Sequence, residues 1–274
     1  MTKFSLASKT FLSKDAETHQ EINSLTMPLV AHLIELRRRL IYALGAFLIT
    51  FCVAYAFSDQ IFLFLVRPLI KLFAGEDNRR LIYTGLTEAF VTYIKVAFFT
   101  AAFVSFPIIA SQVWMFVAPG LYAREKRTFL PFLIATPILF LLGALFAYYM
   151  IIPNAWKFFL SFETPAQTGI LPIQLEARIN EYLSLVMQLI LAFGFSFQLP
   201  VVLMLLVRIG VLSKTLLIKN RKYAFLIIMI VSAFLTPPDV LSMLGLAFPL
   251  YLLYEISLWM MHWVEKGNQS KVAL

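Results

Sequence analysis

The chain has 274 residues, of which 61% are hydrophobic and 14% are charged, and it carries a formal net charge of +8. Soluble domains contain roughly 45–50% apolar and about 25% charged residues, so this composition excludes an ordinary water-soluble domain and predicts a membrane protein. In a membrane protein an excess of lysine and arginine records the loops kept in the cytoplasm, so the net charge does not indicate a nucleic-acid partner.

The N-terminal region divides into a tail and a first membrane span. Residues 1–26 are polar and of mixed charge, which predicts a disordered cytoplasmic tail. Thr26 and Pro28 can begin an amphipathic helix whose leucines recur every three or four residues. The apolar run 40–57 follows the arginine triplet 37–39, so the first span is expected to start in the cytoplasm.

The next segments give an interfacial stretch and a second span. Residues 61–73 are apolar, but they are shorter than the roughly 20 residues that a helix needs to cross the hydrocarbon core. We expect them to lie at the outer membrane interface. The second span is predicted over 89–117, and the Pro119-Gly120 pair that follows is expected to end it.

Two further spans follow. The third is predicted over 129–152 and is expected to close at Pro153-Asn154. Residues 156–180 are mixed in polarity, so they are expected to form an outer loop with one interfacial helix. The fourth span is predicted over 181–207 and is followed by a basic loop.

The last two spans are predicted over 223–235 and 240–261, joined by a tight outer turn. Under this topology more than two thirds of the 23 lysine and arginine residues lie on the cytoplasmic side. The sequence therefore predicts an all-α polytopic membrane protein of six kinked helices with both termini in the cytoplasm. The membrane domain is expected to cover 27–263, followed by a short cytoplasmic C-terminal tail over 264–274.

Three polar residues have both a local and a functional interpretation. Glu35 can pair with Arg38 or Arg39 on its own helix, and Glu125 can balance the neighbouring cations. Gln198 is about 17 residues into the fourth span, where an amide needs a hydrogen-bond partner. That partner can lie in the same chain or in another protein, and the sequence leaves both alternatives open.

Other charged residues lie near predicted span ends. Asp239 follows a proline pair and is expected to cap the helix of the sixth span. Together with Glu88, Gln198 and Glu255 it could form a proton or substrate path, which makes a proton-coupled secondary transporter of a small solute the alternative function.

No enzyme chemistry is visible in the sequence. Its single cysteine excludes an intrachain disulfide, and its three histidines are too scattered for a metal cluster. No catalytic triad, HExxH motif or phosphate-binding loop is present. We therefore expect a protein that is not an enzyme and that uses no metal or cofactor.

Several sequence blocks resemble one family. They are PLVAHLIELRRRL, FPIIASQVWMFVAPGLYAREKR, FAYYMIIP, YLSLVMQLILAFGFSFQLPVV, FLTPPDVLSM and FPLYLLYEI, in that order. The chain is similar in these blocks to the TatC family, the polytopic receptor subunit of the twin-arginine protein translocase. The ordered set covers nearly all of residues 27–263.

The resemblance implies a cupped six-span fold with short fifth and sixth helices, in a bacterial inner membrane. It implies that Glu35 and Glu125 bind the paired arginines of signal peptides on folded precursor proteins, and that Arg37 and Arg127 belong to the same site. Partners would be TatA-like and TatB-like single-span subunits and further copies of the chain, with transport driven by the protonmotive force. Family blocks also contain five residues that we expect to be structural supports: Pro68, Phe116, Tyr148, Pro238 and Asp239.

One position departs from the family. Many members carry glutamate inside the fourth span where this chain has Gln198. A role that needs a titrating carboxylate is therefore in doubt, whereas a hydrogen-bonding role survives. We expect Gln198 to bind the transmembrane helix of a TatA-like or TatB-like partner.

Overall fold

The computed structural model describes residues 30, 32–73, 80–117, 126–164, 171, 173–208, 211–236 and 239–272. Side chains are described for all of these except 117, 126–130, 208 and 262–272. The predicted tail, Glu125 and Pro238 lie outside the described residues. Within them the fold is helical, and its only β pairings are the isolated bridges Ile82–Arg178 and Thr164–Ile173.

The helices follow one another along the chain with short connections. Their bounds are α1 His32–Ala56, α2 Ser58–Leu72, α3 Glu88–Val117, α4 Lys126–Phe146, α5 Ile152–Leu160, α6 Ile179–Ser196, α7 Leu199–Arg208, α8 Lys214–Lys219, α9 Arg221–Leu235 and α10 Val240–Val272. A π-helical turn over Ala147–Ile151 joins α4 to α5. The predicted all-α class is thus the fold of the described residues.

Five helical segments of the described chain are long and apolar enough to cross a membrane. They are His32–Ala56, Glu88–Phe116, Pro131–Leu160, Ile179–Val207 and Val240–Met261. The predicted fifth span corresponds to α9, whose 15 residues rise about 22 Å at 1.5 Å per residue. The number of spans is six only if α9 also crosses the membrane, so the six-span topology stays a prediction.

The predicted end of the third span is wrong. The helix does not close at Pro153 but continues through the π-helical turn and α5 to Leu160. Pro153 is the second residue of α5 and directly follows the π-helical turn, whose changed hydrogen-bond register accommodates the missing backbone N–H of the proline. The segment predicted as a loop from residue 156 thus begins as the last part of this span.

The core is built around α6. Val186, Leu189 and Phe193 are completely buried on its inner face. Gly143 of α4 lets the two helices approach closely, because a Cβ at this position would lie 2.5 Å from the carbonyl oxygen of Phe193. By contrast, only 6% of the span in α1 is buried, so α1 presents most of its surface to the surroundings.

A proline shapes the contact of α2 with the bundle. Pro68 is buried inside α2 and has no N–H to donate to the carbonyl of Phe64, four residues earlier. The hydroxyl of Tyr148 donates to that carbonyl at 2.7 Å, and its ring stacks on Phe64 at a centroid distance of 4.7 Å. The hydroxyl of Tyr182 donates to the next carbonyl, that of Leu65, at 3.1 Å. Two tyrosines thus attach α2 to the core.

Candidate functional site

The first part of the site is an ion pair on α1. Nη2 of Arg39 lies 3.2 Å from Oε1 of Glu35, one helical turn earlier. Nη1 of the same guanidinium reaches α3, where it donates to Oε1 of Gln112 at 3.4 Å and to Sδ of Met115 at 3.3 Å. Arg39 therefore links the carboxylate of Glu35 to the last turns of α3.

An aromatic contact holds the same ends of α1 and α3 together. The rings of His32 and Phe116 stack with a centroid distance of 4.3 Å and an interplanar angle of 23°. Phe116, expected from the sequence to be a structural support, lies here at the end of α3. Because α1 has few other buried contacts, this stack and the Arg39 hydrogen bonds determine the position of Glu35 relative to α3.

Glu35 retains capacity to bind a further cation. Its side chain is 31% exposed, and in the described part of the chain only Oε1 has a partner. An ionised carboxylate offers about four lone-pair sites and can accept two hydrogen bonds from one arginine. The local pair that the sequence allowed is therefore present, and it leaves Oε2 open.

The other predicted members of the site are described only in part. Arg37 is exposed on α1, and the guanidinium of Arg38 lies 5.7 Å from the centroid of the Tyr42 ring. Arg127 belongs to the first turn of α4, but its side chain is not described, and Glu125 lies just before the described residues. The structure thus gives the position of one of the two predicted carboxylates.

Gln198 lies in a break of the fourth predicted span, between the end of α6 and the start of α7. It is 9% exposed, and its Nε2 donates to the backbone carbonyl of Thr136 on α4 at 2.9 Å. Its Oε1 is buried and has no hydrogen-bond partner among the described residues. One half of the amide is therefore used within the chain, and the other half is a free acceptor.

Asp239 lies at the start of α10. Its Oδ2 accepts a hydrogen bond of 2.6 Å from the backbone N–H of Ser242, which is the geometry of a helix N-cap. Its Oδ1 is buried and has no partner in the described part of the chain.

Glu88 and Glu255 are paired locally at opposite ends of the bundle. Oε2 of Glu88 accepts from the backbone N–H groups of Thr84 and Gly85, and Oε2 of Glu255 lies 3.1 Å from Nη2 of Arg221. Glu88 and Glu255 therefore belong to two separate clusters. They do not come together in the proton or substrate path that a transporter would need. In the described chain, no group of three or more His, Cys, Asp or Glu residues could hold a metal ion.

Sequence reasoning missed the α3 side of the site. Gln112 and Met115 are three residues apart, so they share one face of the helix. The polar side chain of Gln112, close to the end of an apolar span, could have indicated a contact with another helix. Its partner Arg39 is more than 70 residues away, which no local pattern reveals.

Comparison with known proteins decides the family. The sequence model of the family described as "Sec-independent protein translocase protein (TatC)" matches residues 31–249. The chain belongs to the TatC family. It is 48% identical over 241 residues to TatC of Rickettsia prowazekii (strain Madrid E), covering 88% of this chain and 95% of that protein. It is 38% identical over 247 residues to TatC of Escherichia coli (strain K12), covering 90% and 93%.

The fold is similar to that of a solved relative. A crystal structure described as that of the twin-arginine translocase receptor TatC in DDM superposes with a TM-score of 0.70 at 37% identity, covering 84% of this chain and 98% of that one. The chain is therefore a multi-pass membrane subunit of a Sec-independent protein translocase, and a transport component without enzymatic activity.

Proposed function

We propose that this member of the TatC family is the receptor that captures folded precursor proteins by the paired arginines of their signal peptides. The observation that carries the proposal is the geometry of Glu35. Its carboxylate is half-buried near the start of α1, is positioned by Arg39 against α3, and among the described residues has a partner on only one of its two oxygens. A solved relative is described as a twin-arginine translocase receptor, which supports the same function.

Arginine suits such a carboxylate better than lysine does. The guanidinium is a planar fork that binds a carboxylate through two parallel N–H···O bonds, whereas an ammonium offers a point charge. A signal arginine would compete with Arg39 for Oε1 or bind alongside it at Oε2. Either arrangement requires a charge at Glu35, so the amide of glutamine is not an adequate substitute.

The second arginine needs a second carboxylate, and we assign it to Glu125. This residue directly precedes Lys126, the first residue of α4, in the connection that follows the end of α3. The stack of His32 on Phe116 holds α1 beside that same end of α3. These contacts support a site in which Glu35 and Glu125 face one bound peptide, with Arg37 and Arg127 as further members.

Charge alone does not account for useful affinity. Hydrogen bonds to charged groups contribute about 1.5–3 kcal/mol each, so two arginines give roughly 3–6 kcal/mol before desolvation. That corresponds to a dissociation constant in the millimolar range or slightly below it. The apolar segment of the signal peptide must therefore bury surface against the helices as well.

The same proposal includes partners and orientation. TatA-like and TatB-like single-span subunits would assemble with several copies of the chain, and the end of the bundle that carries Glu35 would face the cytoplasm of a bacterial inner membrane. The energy source would be the protonmotive force. The unpaired Oε1 of Gln198 supports a role in docking a partner helix, because it can accept a hydrogen bond from that helix.

The test uses the purified full chain in a lipid nanodisc and a fluorescent signal peptide. We expect saturable binding of a peptide with Arg-Arg and a loss of about tenfold or more with Lys-Lys, because the bidentate geometry is lost. Peptides of equal length and hydrophobicity control for apolar binding. Equal affinity for both peptides would contradict the proposed recognition.

A further inference from the structure

A cavity of about 430 Å³ lies at the end of the bundle opposite to Glu35. One wall comes from the end of the third span, where Asn154, Lys157 and Phe158 line it. The other wall comes from the first turns of α10, including Leu241 and Ser242. Since α5 ends and α10 begins at this end, the cavity is close to a membrane interface.

The deeper end of the cavity is apolar and closed by a tight helix contact. Gly245 of α10 faces Ile151 of the π-helical turn, and a Cβ at Gly245 would lie 2.7 Å from Cδ1 of Ile151. Ala155, almost completely buried, completes this part of the lining. The lining therefore changes from polar at the interface to hydrocarbon deeper in the membrane.

Asn154 donates from Nδ2 to the carbonyl of Met150 at 2.9 Å, whereas Lys157 and Ser242 have no side-chain partner among the described residues. The side chain of Lys157 is exposed and makes no ion pair with any described residue. Ser242 is only 1% exposed, and its Oγ is buried without a hydrogen bond to any described residue. A buried hydroxyl without a partner is costly, so Ser242 indicates an acceptor that comes from outside the described chain.

Asp239 restricts where a negative charge can bind. Its buried carboxylate accepts from the N–H of Ser242, so a second anion close to Ser242 would be repelled. A neutral acceptor suits Ser242, whereas an anion suits Lys157. The ligand must therefore be charged at one end, carry a neutral oxygen next to it, and be apolar beyond.

We propose that this cavity binds one phospholipid molecule of the surrounding leaflet. The phosphate lies on the ammonium of Lys157, an ester carbonyl accepts from Oγ of Ser242, and one acyl chain lies between Phe158 and Leu241 toward Ile151. A transmembrane helix in the same place would leave both polar groups unpaired, because its apolar side chains offer no acceptor. The proposal is independent of signal-peptide binding at the other end.

The test uses the full chain reconstituted in phosphatidylcholine vesicles that contain a photoactivatable phosphatidylglycerol with a diazirine in the acyl chain. We expect mass spectrometry to find adducts concentrated in residues 151–158 and 241–245. Leu241→Trp fills the cavity from an exposed position and should abolish this enrichment. Lys157→Gln should reduce it by about tenfold, because a charge-assisted contact is lost.

Two further variants keep the test decisive. Ser242→Ala removes only the hydroxyl and should reduce labelling by roughly two- to tenfold, as expected for one hydrogen bond. Lys71→Gln removes an exposed lysine of α2 at the same end and should change nothing. Labelling that is uniform around all spans, or that persists in Leu241→Trp, would overturn the proposal.

The same experiment separates the other possible occupants. An excess of inorganic phosphate should not compete, and competition would assign Lys157 to a free anion instead of a lipid. A photoreactive amino acid at position 241 in native membranes should yield lipid adducts. Adducts to a protein would mean that a partner helix fills the cavity, and the lipid assignment would be wrong.

Discussion

The hydroxyl of Tyr148 donates to the carbonyl of Phe64, the group that Pro68 leaves without its usual helical partner. A proline in α2 and a tyrosine at the π-helical turn, 80 residues apart in the sequence, thus act on one backbone oxygen. Without Tyr148 that oxygen would lie unpaired in an apolar environment, which costs free energy. The contact explains how a 15-residue helix with an internal proline can be fixed in the core.

Tyr148→Phe should lower the free energy of unfolding by about 1–2 kcal/mol, because the ring stays stacked and only the hydrogen bond is lost. In a Pro68→Ala background the same change should cost less, since the N–H of the new alanine can bond to Phe64. Thermal unfolding of the four proteins of this cycle in mild detergent measures the coupling between the two residues.

Tyr149→Phe is the matched control for this cycle, because Tyr149 is exposed and its hydroxyl makes no described hydrogen bond. Its midpoint temperature should equal that of the unchanged protein. Equal losses from Tyr148→Phe with and without Pro68 would mean that the two residues act independently.

Glu35→Gln and Glu125→Gln should each weaken binding of an Arg-Arg signal peptide by about ten- to a hundredfold, which corresponds to one lost charge-assisted pair. Glu35→Asp should be partly tolerated at best, since the charge persists but the reach shortens. Binding isotherms with the nanodisc-embedded protein give the affinities, and thermal unfolding shows that each variant is folded.

Glu181→Gln controls for the general loss of an ion pair. Glu181 pairs with Arg178 at 2.8 Å at the other end of the bundle, and its variant should bind the peptide normally. If the double variant Glu35→Ala, Glu125→Ala still binds a twin-arginine peptide with normal affinity, these two residues are not the site.

The sequence predicts most helices because long apolar runs have few alternatives in a membrane. The second span was expected over 89–117 and the helix covers Glu88–Val117. The continuation of the helix past Pro153 could not be foreseen, because a π-helical turn before the proline absorbs the disruption and has no clear sequence signal.

The candidate site could be predicted only in part, because local spacing reveals contacts within one helix but not contacts between helices. The pairing of Glu35 with Arg39 follows from a spacing of four residues. The contact of Arg39 with Gln112 and the stack of His32 on Phe116 depend on where α1 packs against α3, which is set by the whole bundle. The spacing of residues also could not predict which atom of the Gln198 amide stays unpaired, because that depends on how α4 packs beside it.

The orientation in the membrane can be measured with single cysteines in a Cys52→Ser background, which is required because Cys52 is exposed. Asn220→Cys and Gln269→Cys should react with an impermeant thiol reagent only from the cytoplasmic side. Ser161→Cys and Gln167→Cys should react only from outside, because the basic loops set this topology. Labelling of Asn220→Cys and Ser161→Cys from the same side would refute it.

The length of α9 predicts a local thinning of the bilayer. A hydrocarbon core is about 30 Å thick, whereas labels at Tyr223 and Leu235 should be only about 20 Å apart along the membrane normal. Depth-dependent fluorescence quenching measures this separation. The exposed positions Val91 and Val113 on α3 serve as the control and should be about 33 Å apart along the helix. A separation near 30 Å for the α9 pair would contradict thinning.

Gln198 offers a test that separates docking from folding. Gln198→Leu removes both the bond to Thr136 and the free acceptor, so it should lower the free energy of unfolding by about 1 kcal/mol and also weaken recruitment of a partner helix. Signal-peptide capture at the other site should persist. Gln198→Glu keeps two oxygens and should retain recruitment if the partner donates the hydrogen bond.

Photo-crosslinking from positions next to 198 to a TatA-like or TatB-like helix, with peptide binding and thermal unfolding measured in parallel, distinguishes the two roles of Gln198. Interhelical hydrogen bonds in membranes are worth about 0.6–2 kcal/mol, which allows a measurable but incomplete loss of crosslinks. Thr136→Ala keeps the backbone carbonyl that accepts from Gln198, so this control should preserve the crosslinks. If Gln198→Leu destabilises the fold but leaves crosslinks and transport unchanged, the amide serves only its own bundle, because the bond to Thr136 then accounts for the whole effect.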